Sequence, residues 1–145
     1  FGDVLLESED GRVRRQGGRW VPSRLWRGMG FLHPGVVATR EAFERIDGFR
    51  TDLRYAMDTD WIIRLHASGA RFAKHGAVCH MSTGGLSDTR WSEARREYLR
   101  VLSANRLPAW QRALGWGWYA ALGVKRVLAA GPRSRRPNDA EARGA

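Results

Sequence analysis

Cysteine is almost absent from this chain of 145 residues, which contains one, Cys79. A single thiol excludes an internal disulfide and fits a reducing compartment. The sequence also lacks any apolar run long enough for a transmembrane helix, so no membrane-spanning segment is expected.

An initiator methionine and a polar leader are also missing, because the chain opens directly on the apolar sequence Phe1-Gly2-Asp3-Val4. We therefore expect a fragment whose N-terminal part is absent. The 43% apolar content and seven Trp residues are typical of a folded protein, and the length suits one domain.

Acidic residues are scarce in the C-terminal part of the chain. Residues 89–145 contain twelve Arg or Lys against four Asp or Glu, whereas residues 1–88 contain thirteen against eleven. Most of the net charge of +10 therefore belongs to the C-terminal part. We predict a nearly neutral domain over residues 1–88, a basic, Trp-rich helical extension over 89–130 and a disordered tail over 131–145.

Hydrophobic periodicity and turn residues predict a mixture of strands and helices. Strands are predicted at 2–7, 12–16 and 70–79, with a short strand or bulged segment at 30–38. The Asp10-Gly11 turn is predicted to join the first two strands as a hairpin. Helices are predicted from the N-cap Thr39 to Ile46, from about Asp58 to Gly69, and over 90–106. Asp47-Gly48 is predicted to end the first helix, with Gly48 in the left-handed conformation. In the second helix, Trp61, Ile62 and Leu65 form the apolar stripe, and Arg64 is expected to face outward.

Two carboxylates, Asp58 and Asp60, stand where an irregular segment meets the second predicted helix. Acids at this position can cap a helix and complement its dipole. They can also hold a general base or an ion ligand against a substrate. The spacing alone leaves the cap and catalytic interpretations open.

Four ordered stretches carry a resemblance to a known family. They are Phe1-Gly2-Asp3-Val4 with Asp10-Gly11, His33 followed by Arg40 to Glu44 and Gly48-Phe49, the segment from Asp58 to Leu65, and Gly84-Gly85-Leu86-Ser87. Together, over roughly residues 1–105, they resemble the C-terminal half of family 2 glycosyltransferases with the GT-A fold. The match is closest to bacterial enzymes of exopolysaccharide, lipopolysaccharide or glycolipid synthesis.

The resemblance implies an α/β protein, the C-terminal part of a Rossmann-like GT-A fold with a helical C-terminal extension. It implies that Asp58 is the catalytic base of an inverting sugar transfer. Asp60 would orient the surroundings of Asp58 or bind acceptor hydroxyls. The other residues implied at the acceptor pocket are His33, Arg64, Gly84, Gly85 and Ser87. Met57 departs from the family pattern, which commonly has Glu before the base.

The same resemblance implies a nucleotide-diphosphate sugar donor and a glycan or lipid-linked acceptor. It implies a divalent cation, Mg²⁺ or Mn²⁺, whose ligands we expect in the missing N-terminal half, so no metal ligand is assigned in this chain. His75, Cys79 and His80 lack a fourth zinc ligand. The expected location is the cytoplasm, including the inner face of the cell membrane.

The Trp-rich segment at 110–130 leaves three interpretations open. It can pack against the missing half, lie on an anionic membrane as an amphipathic helix, or bind nucleic acid. No recognisable nucleic-acid motif accompanies it, so no nucleic acid is expected as a partner. The alternative to an enzyme is a non-catalytic basic module that binds an anionic surface, with Asp58 serving only as a helix cap.

Overall fold

The computed structural model describes residues 1–85 and 89–129 and has a mixed α/β fold, as expected. Its strands are β1 (Asp3–Glu7), β2 (Val13–Gln16) and β3 (Val78–Ser82). Its helices are α1 (Arg40–Glu44), α2 (Met57–Ala67), α3 (Trp91–Ala104) and α4 (Ala109–Ala129), with 3₁₀ helices at Pro22–Arg27 and His33–Gly35. Ser87 and the predicted tail at 131–145 lie outside the described residues.

The three strands form one sheet in the order β2-β1-β3. Strand β1 pairs antiparallel with β2, with Val4 opposite Gln16, and parallel with β3, with Val4 opposite Cys79. The hairpin predicted at the Asp10-Gly11 turn is confirmed, and Gly11 has the positive φ of 77° that such turns require. The central strand β1 is the most buried of the three, and a neighbouring strand is hydrogen-bonded to each of its edges.

The strand or bulged segment predicted at 30–38 is wrong. The chain there forms a 3₁₀ turn, His33–Gly35. Pro34 has no N–H to donate to a ladder, and its fixed φ suits the first turn of a helix, where it is the second residue.

The strand predicted at 70–79 starts only at Val78, so most of that prediction is also wrong. The preceding segment is held by the first residue instead. The Phe1 ammonium donates to Ala73 O at 2.8 Å, and the His75 N–H donates to Phe1 O at 3.1 Å. Phe72 stacks on Trp20, with ring centroids 4.0 Å apart. These partners lie far away along the chain, so the local sequence does not reveal them. The apolar pattern of residues 70–79 by itself resembles that of a strand.

Helix α2 is the central element because both of its sides are buried. Trp61, Ile62 and Leu65 pack with Phe31, which confirms the predicted apolar stripe. On its other side, Ile63 joins a second cluster with α3 and the first 3₁₀ helix. The buried members of that cluster are Leu25, Leu53, Ala56, Ile63, Tyr98, Leu99, Val101 and Leu102. The α2 helix therefore connects the two halves of the core.

The start of α2 is capped from a distance. Its N-cap is Ala56, which has no capping side chain. Instead, one carboxylate oxygen of Glu97 in α3 accepts the backbone N–H groups of Arg54, Tyr55 and Ala56 at 2.9, 2.6 and 2.7 Å. Asp58 is therefore not the N-cap residue. It lies in the first turn of α2, where its Oδ1 accepts the backbone N–H of Thr59 at 2.6 Å, so it still stabilises the start of the helix.

A buried polar network fixes the elements around α2. The Asp60 carboxylate, 1% exposed, accepts hydrogen bonds from Arg64 Nε at 2.7 Å and from Asn105 Nδ2 at 2.8 Å. The Arg64 guanidinium also donates to the carbonyl oxygens of Gly48, at 2.7 Å, and Ile46. The prediction that Arg64 faces outward is wrong. Its guanidinium points into the fold, where it binds the buried Asp60 carboxylate and two backbone carbonyl oxygens.

We expect Asp60→Ala to lower the free energy of unfolding by about 3 kcal/mol, because it leaves the partly buried Arg64 charge without its carboxylate. The matched control is Asp52→Ala, which removes an exposed ion pair with Arg50. That change should cost no more than about 1 kcal/mol. Urea unfolding followed by circular dichroism measures both. Equal losses in the two variants would contradict this account of the network.

Candidate functional site

A cavity of about 650 Å³ opens between the 3₁₀ turn, α1 and the first turn of α2. Its apolar wall includes the rings of Phe43, Phe49 and Trp61. The ring of Phe49 lies 5.4 Å from that of Phe43 and 5.3 Å from that of Trp61. Its polar groups include the side chains of His33 and Asp58. Arg40 and Glu44 also line it, so the cavity offers aromatic surface beside an imidazole, a guanidinium and two carboxylates.

His33 and Asp58 are in direct contact, with Nδ1 of the imidazole 3.0 Å from Oδ2 of the carboxylate. The Asp58 side chain is 23% exposed and that of His33 is 56% exposed, so a ligand in the cavity can reach both. The hydrogen bond to Asp58 raises the pKa of His33, and partial burial opposes this rise. Since a carboxylate only accepts, the shared proton is on Nδ1 of His33.

The position of His33 is set by the 3₁₀ turn and its attachment to the sheet. The N–H of Gly2, just before β1, donates to Gly35 O at 2.6 Å. A Cβ on Gly35 would lie 2.7 Å from Gly2 O, so only glycine allows this approach. The turn is therefore held against the start of β1, and His33 projects from it toward α2.

The aromatic wall depends on how α1 begins and ends. Thr39 Oγ1 accepts the N–H of Ala42 at 3.1 Å, which confirms the predicted N-cap. Asp47 and Gly48 then have positive φ values of 55° and 62°, and the chain turns back on itself. The left-handed conformation predicted for Gly48 is confirmed. This reversal brings Phe49 against the rings of the wall.

Among the predicted site residues that the structure describes, His33 and Asp58 are the two that line the cavity. Asp60 and Arg64 lie behind the wall, bonded to each other, and neither lines the cavity. Of the two roles predicted for Asp60, this geometry favours orientation of the surroundings of Asp58 over contact with acceptor hydroxyls. Arg64 likewise holds the chain at Gly48 rather than facing the cavity.

Gly84 and Gly85 lie at a different end of the sheet. The preceding Thr83 N–H donates to Glu7 O at 2.8 Å, at the carboxyl end of β1, whereas the His33 turn contacts the start of that strand. Neither glycine is among the residues that line the cavity. The structure therefore does not join them to the His33–Asp58 pair, and Ser87 lies outside the described residues.

A divalent cation does not fit the Asp58-x-Asp60 pair in this arrangement. Side chains two positions apart on a helix point in different directions. Asp58 bonds to His33, while both oxygens of Asp60 are taken by Arg64 and Asn105. Within residues 1–85 and 89–129, no three His, Cys, Asp or Glu side chains are grouped so that they could hold a metal ion.

Sequence patterns did not reveal Glu97, Asn105 or the role of Phe49 in the cavity wall. Glu97 bonds to backbone groups more than forty residues away, so no local pattern marks it. Asn105 likewise meets Asp60 across 45 positions. The Asp47-Gly48 pair predicts that the chain reverses just before Phe49. It does not predict that the Phe49 ring packs in the cavity wall.

No protein-family model, curated protein or solved structure matches this chain. Among the described residues, no helix combines the length and apolarity needed to cross a membrane.

We expect the pKa of His33 to lie above its ordinary value of 6.5 and to fall toward it in Asp58→Asn, because the hydrogen bond to the carboxylate favours the imidazolium. The matched control is Glu44→Gln, which removes another cavity carboxylate and should leave the pKa of His33 nearly unchanged. Proton and nitrogen NMR of the imidazole against pH measures it.

The raised pKa of His33 also determines how the free energy of unfolding depends on pH. The pair stabilises the fold fully below pH 6.5, and this contribution is lost as pH rises through the raised pKa of His33. A pKa of His33 that is the same in the native protein and in Asp58→Asn would contradict the pairing.

Proposed function

We propose that this chain is the acceptor-binding part of a family 2 glycosyltransferase and that Asp58 is its general base. The observation that carries the proposal is the Asp58 carboxylate itself. It is partly exposed on the wall of an aromatic cavity and held by His33. The four ordered motifs from Phe1 to Ser87 support the same assignment.

The cavity suits one sugar unit of a glycan or lipid-linked acceptor. Its volume of about 650 Å³ lies within the roughly 300–1,000 Å³ of typical small-molecule sites, which combine apolar walls with a few polar groups. The C–H face of a pyranose can pack on the exposed rings of Phe43 and Phe49, with the edge of the buried Trp61 behind them. Its hydroxyl groups would then face His33 and Asp58.

The chemistry needs a proton acceptor at this place. In an inverting transfer, an acceptor hydroxyl attacks the anomeric carbon of the donor sugar, and the bond from that carbon to the diphosphate oxygen breaks. The electron pair of that bond leaves with the nucleotide diphosphate, and the hydroxyl proton passes to the Asp58 carboxylate. The donor and any divalent cation belong to a nucleotide-binding half that the resemblance places N-terminal to this chain.

His33 would orient the Asp58 carboxylate, because its Nδ1 can donate to Asp58 Oδ2 whether or not the imidazole carries a charge. When His33 is protonated, its positive charge beside the reacting groups opposes the uptake of the hydroxyl proton. The transfer rate is therefore expected to rise with pH through the raised pKa of His33.

We expect Asp58→Asn to lower the transfer rate by about 10²- to 10⁴-fold, the usual contribution of a general base. Asn keeps the size of Asp and can still accept the N–H of Thr59, so the fold should survive. Transfer is measured as donor consumption by a protein that carries this chain together with a donor-binding half. Glu44→Gln is the matched control. An undiminished rate in Asp58→Asn would contradict the assignment.

Acceptor binding can be tested on the 145-residue chain alone. Methyl glycosides of glucose, galactose, mannose and N-acetylglucosamine are titrated while the Trp61 indole N–H is observed by NMR. We expect at least one sugar to shift this signal, and Phe49→Ala to weaken its binding about fivefold through loss of a stacking surface. Val13→Ala, on β2 and outside the cavity, should have no effect. If no sugar perturbs Trp61, the cavity is not the acceptor site.

A further inference from the structure

Helix α4 covers the first 3₁₀ helix and α3 with only one of its sides. Gln111 and Gly115 are buried there, with Trp118 and Tyr119 half-buried beside them. The contact is close at Gly115, where a Cβ would lie 3.2 Å from Trp26 O and 2.6 Å from a methyl carbon of Leu102. This side of α4 is therefore fixed to the rest of the fold.

The opposite side of α4 is apolar and exposed along its length. Its large residues have exposed fractions between 47% and 76%; they are Trp110, Leu114, Trp116, Val124 and Leu128. Ala113, Gly117, Ala120 and Ala121 fill the positions between them and are also exposed. At about 100° per residue, these positions span an arc of roughly 160°. We call this surface the α4 apolar face.

All the charged residues that border the α4 apolar face are cationic. The helix contains no Asp or Glu, and its cations are Arg112, Lys125 and Arg126. On the helical wheel, Lys125 follows Leu114 at one border and Arg112 follows Trp116 at the other. An apolar arc with cations along both borders is the pattern of a helix that lies in a membrane interface.

A cationic groove continues this pattern onto α3. It has a volume of about 420 Å³, and Arg95, Arg96, Arg100 and Trp116 are among its lining residues. Arg96 and Arg100 are exposed there, whereas Arg95 is partly buried, with its Cζ 5.6 Å from the centroid of the Trp91 ring. A phosphate group could accept from Arg96 and Arg100, because guanidinium groups match the geometry of phosphate oxygens.

We propose that α4 lies on the surface of an anionic membrane, with its apolar face in the boundary between headgroups and acyl chains. The border cations and the groove beside Trp116 would then contact headgroup phosphates. Trp at such a boundary is common, because its ring is apolar and its N–H is polar. This inference concerns binding alone and does not rest on glycosyl transfer.

Charge complementarity favours a membrane over a second copy of the chain and over nucleic acid. A second copy of the chain would bring two sets of cationic borders together without acids to pair them. Nucleic acid would satisfy the cations but leave the α4 apolar face in water. An anionic bilayer covers the apolar residues and neutralises the cations at the same time.

The test is flotation of the 145-residue chain with vesicles of phosphatidylcholine that contain 30% phosphatidylglycerol, compared with pure phosphatidylcholine. We expect at least tenfold stronger binding to the anionic vesicles, which weakens as salt is added. The double variant Leu114→Glu/Val124→Glu should lose binding at least tenfold. Its control, Val13→Glu, places an acid on an equally exposed apolar position of β2 and should bind almost normally.

A charge variant tests the borders separately. Lys125→Gln should weaken binding about fivefold, since each basic residue near an anionic surface contributes about 1 kcal/mol. Arg14→Gln on β2 changes the net charge equally and should not weaken it. Both Gln substitutions leave the α4 apolar face intact, so they keep the test valid if the double Glu variant, checked by circular dichroism, does not fold.

Three results would overturn the proposal. The first is no binding to anionic vesicles at low salt, and the second is equal loss in the face variants and their β2 controls. The third is a concentration-dependent dimer in size-exclusion chromatography that Leu114→Glu/Val124→Glu abolishes while vesicle binding is unaffected. That result would identify a second copy as the occupant of the face.

Discussion

The buried carboxylate of Asp60 is the constraint on which the rest of the structure depends. A carboxylate removed from water costs several kcal/mol unless it is paired and hydrogen-bonded, and here Arg64 and Asn105 pair it. Arg64 then holds the chain at Gly48, where it reverses after α1, and Asn105 holds the end of α3. The network therefore joins α1, α2 and α3 and fixes the wall against which Phe49 packs. The position of Phe49 in the cavity wall therefore depends on this network.

The two acids of the Asp58-x-Asp60 segment consequently have separate tasks. The helix directs Asp60 into the interior, where its charge is fully used, and directs Asp58 toward His33 and the cavity. Distant Glu97 accepts the N–H groups of the residues that lead into the helix. Asp58 accepts the N–H of Thr59 through Oδ1 and contacts His33 through Oδ2. This division explains the spacing of the two acids without a metal ion. It also fixes the position of the proposed base, because Asp58 lies two residues from Asp60, the most buried polar residue of the helix.

Features with local causes were predictable from the sequence, and those with distant partners were not. The hairpin at Gly11, the Thr39 cap and the reversal at Gly48 follow from short-range backbone chemistry and are confirmed. The orientation of Arg64 and the capping of α2 depend on groups that are 16 to 43 positions away, so local patterns predicted them wrongly. The His33–Asp58 pair was predicted only as two members of one pocket, through the family resemblance, and their direct contact required the structure.

The central claim is that the cavity presents an acceptor hydroxyl to Asp58. A crystal structure of the chain with a bound acceptor sugar tests it most directly. The account predicts a sugar ring against Phe43 and Phe49, with one hydroxyl oxygen about 2.6–3.2 Å from the Asp58 carboxylate, the distance that proton transfer requires. A sugar bound away from this cavity, or bound inside it with no hydroxyl near Asp58, would contradict the claim.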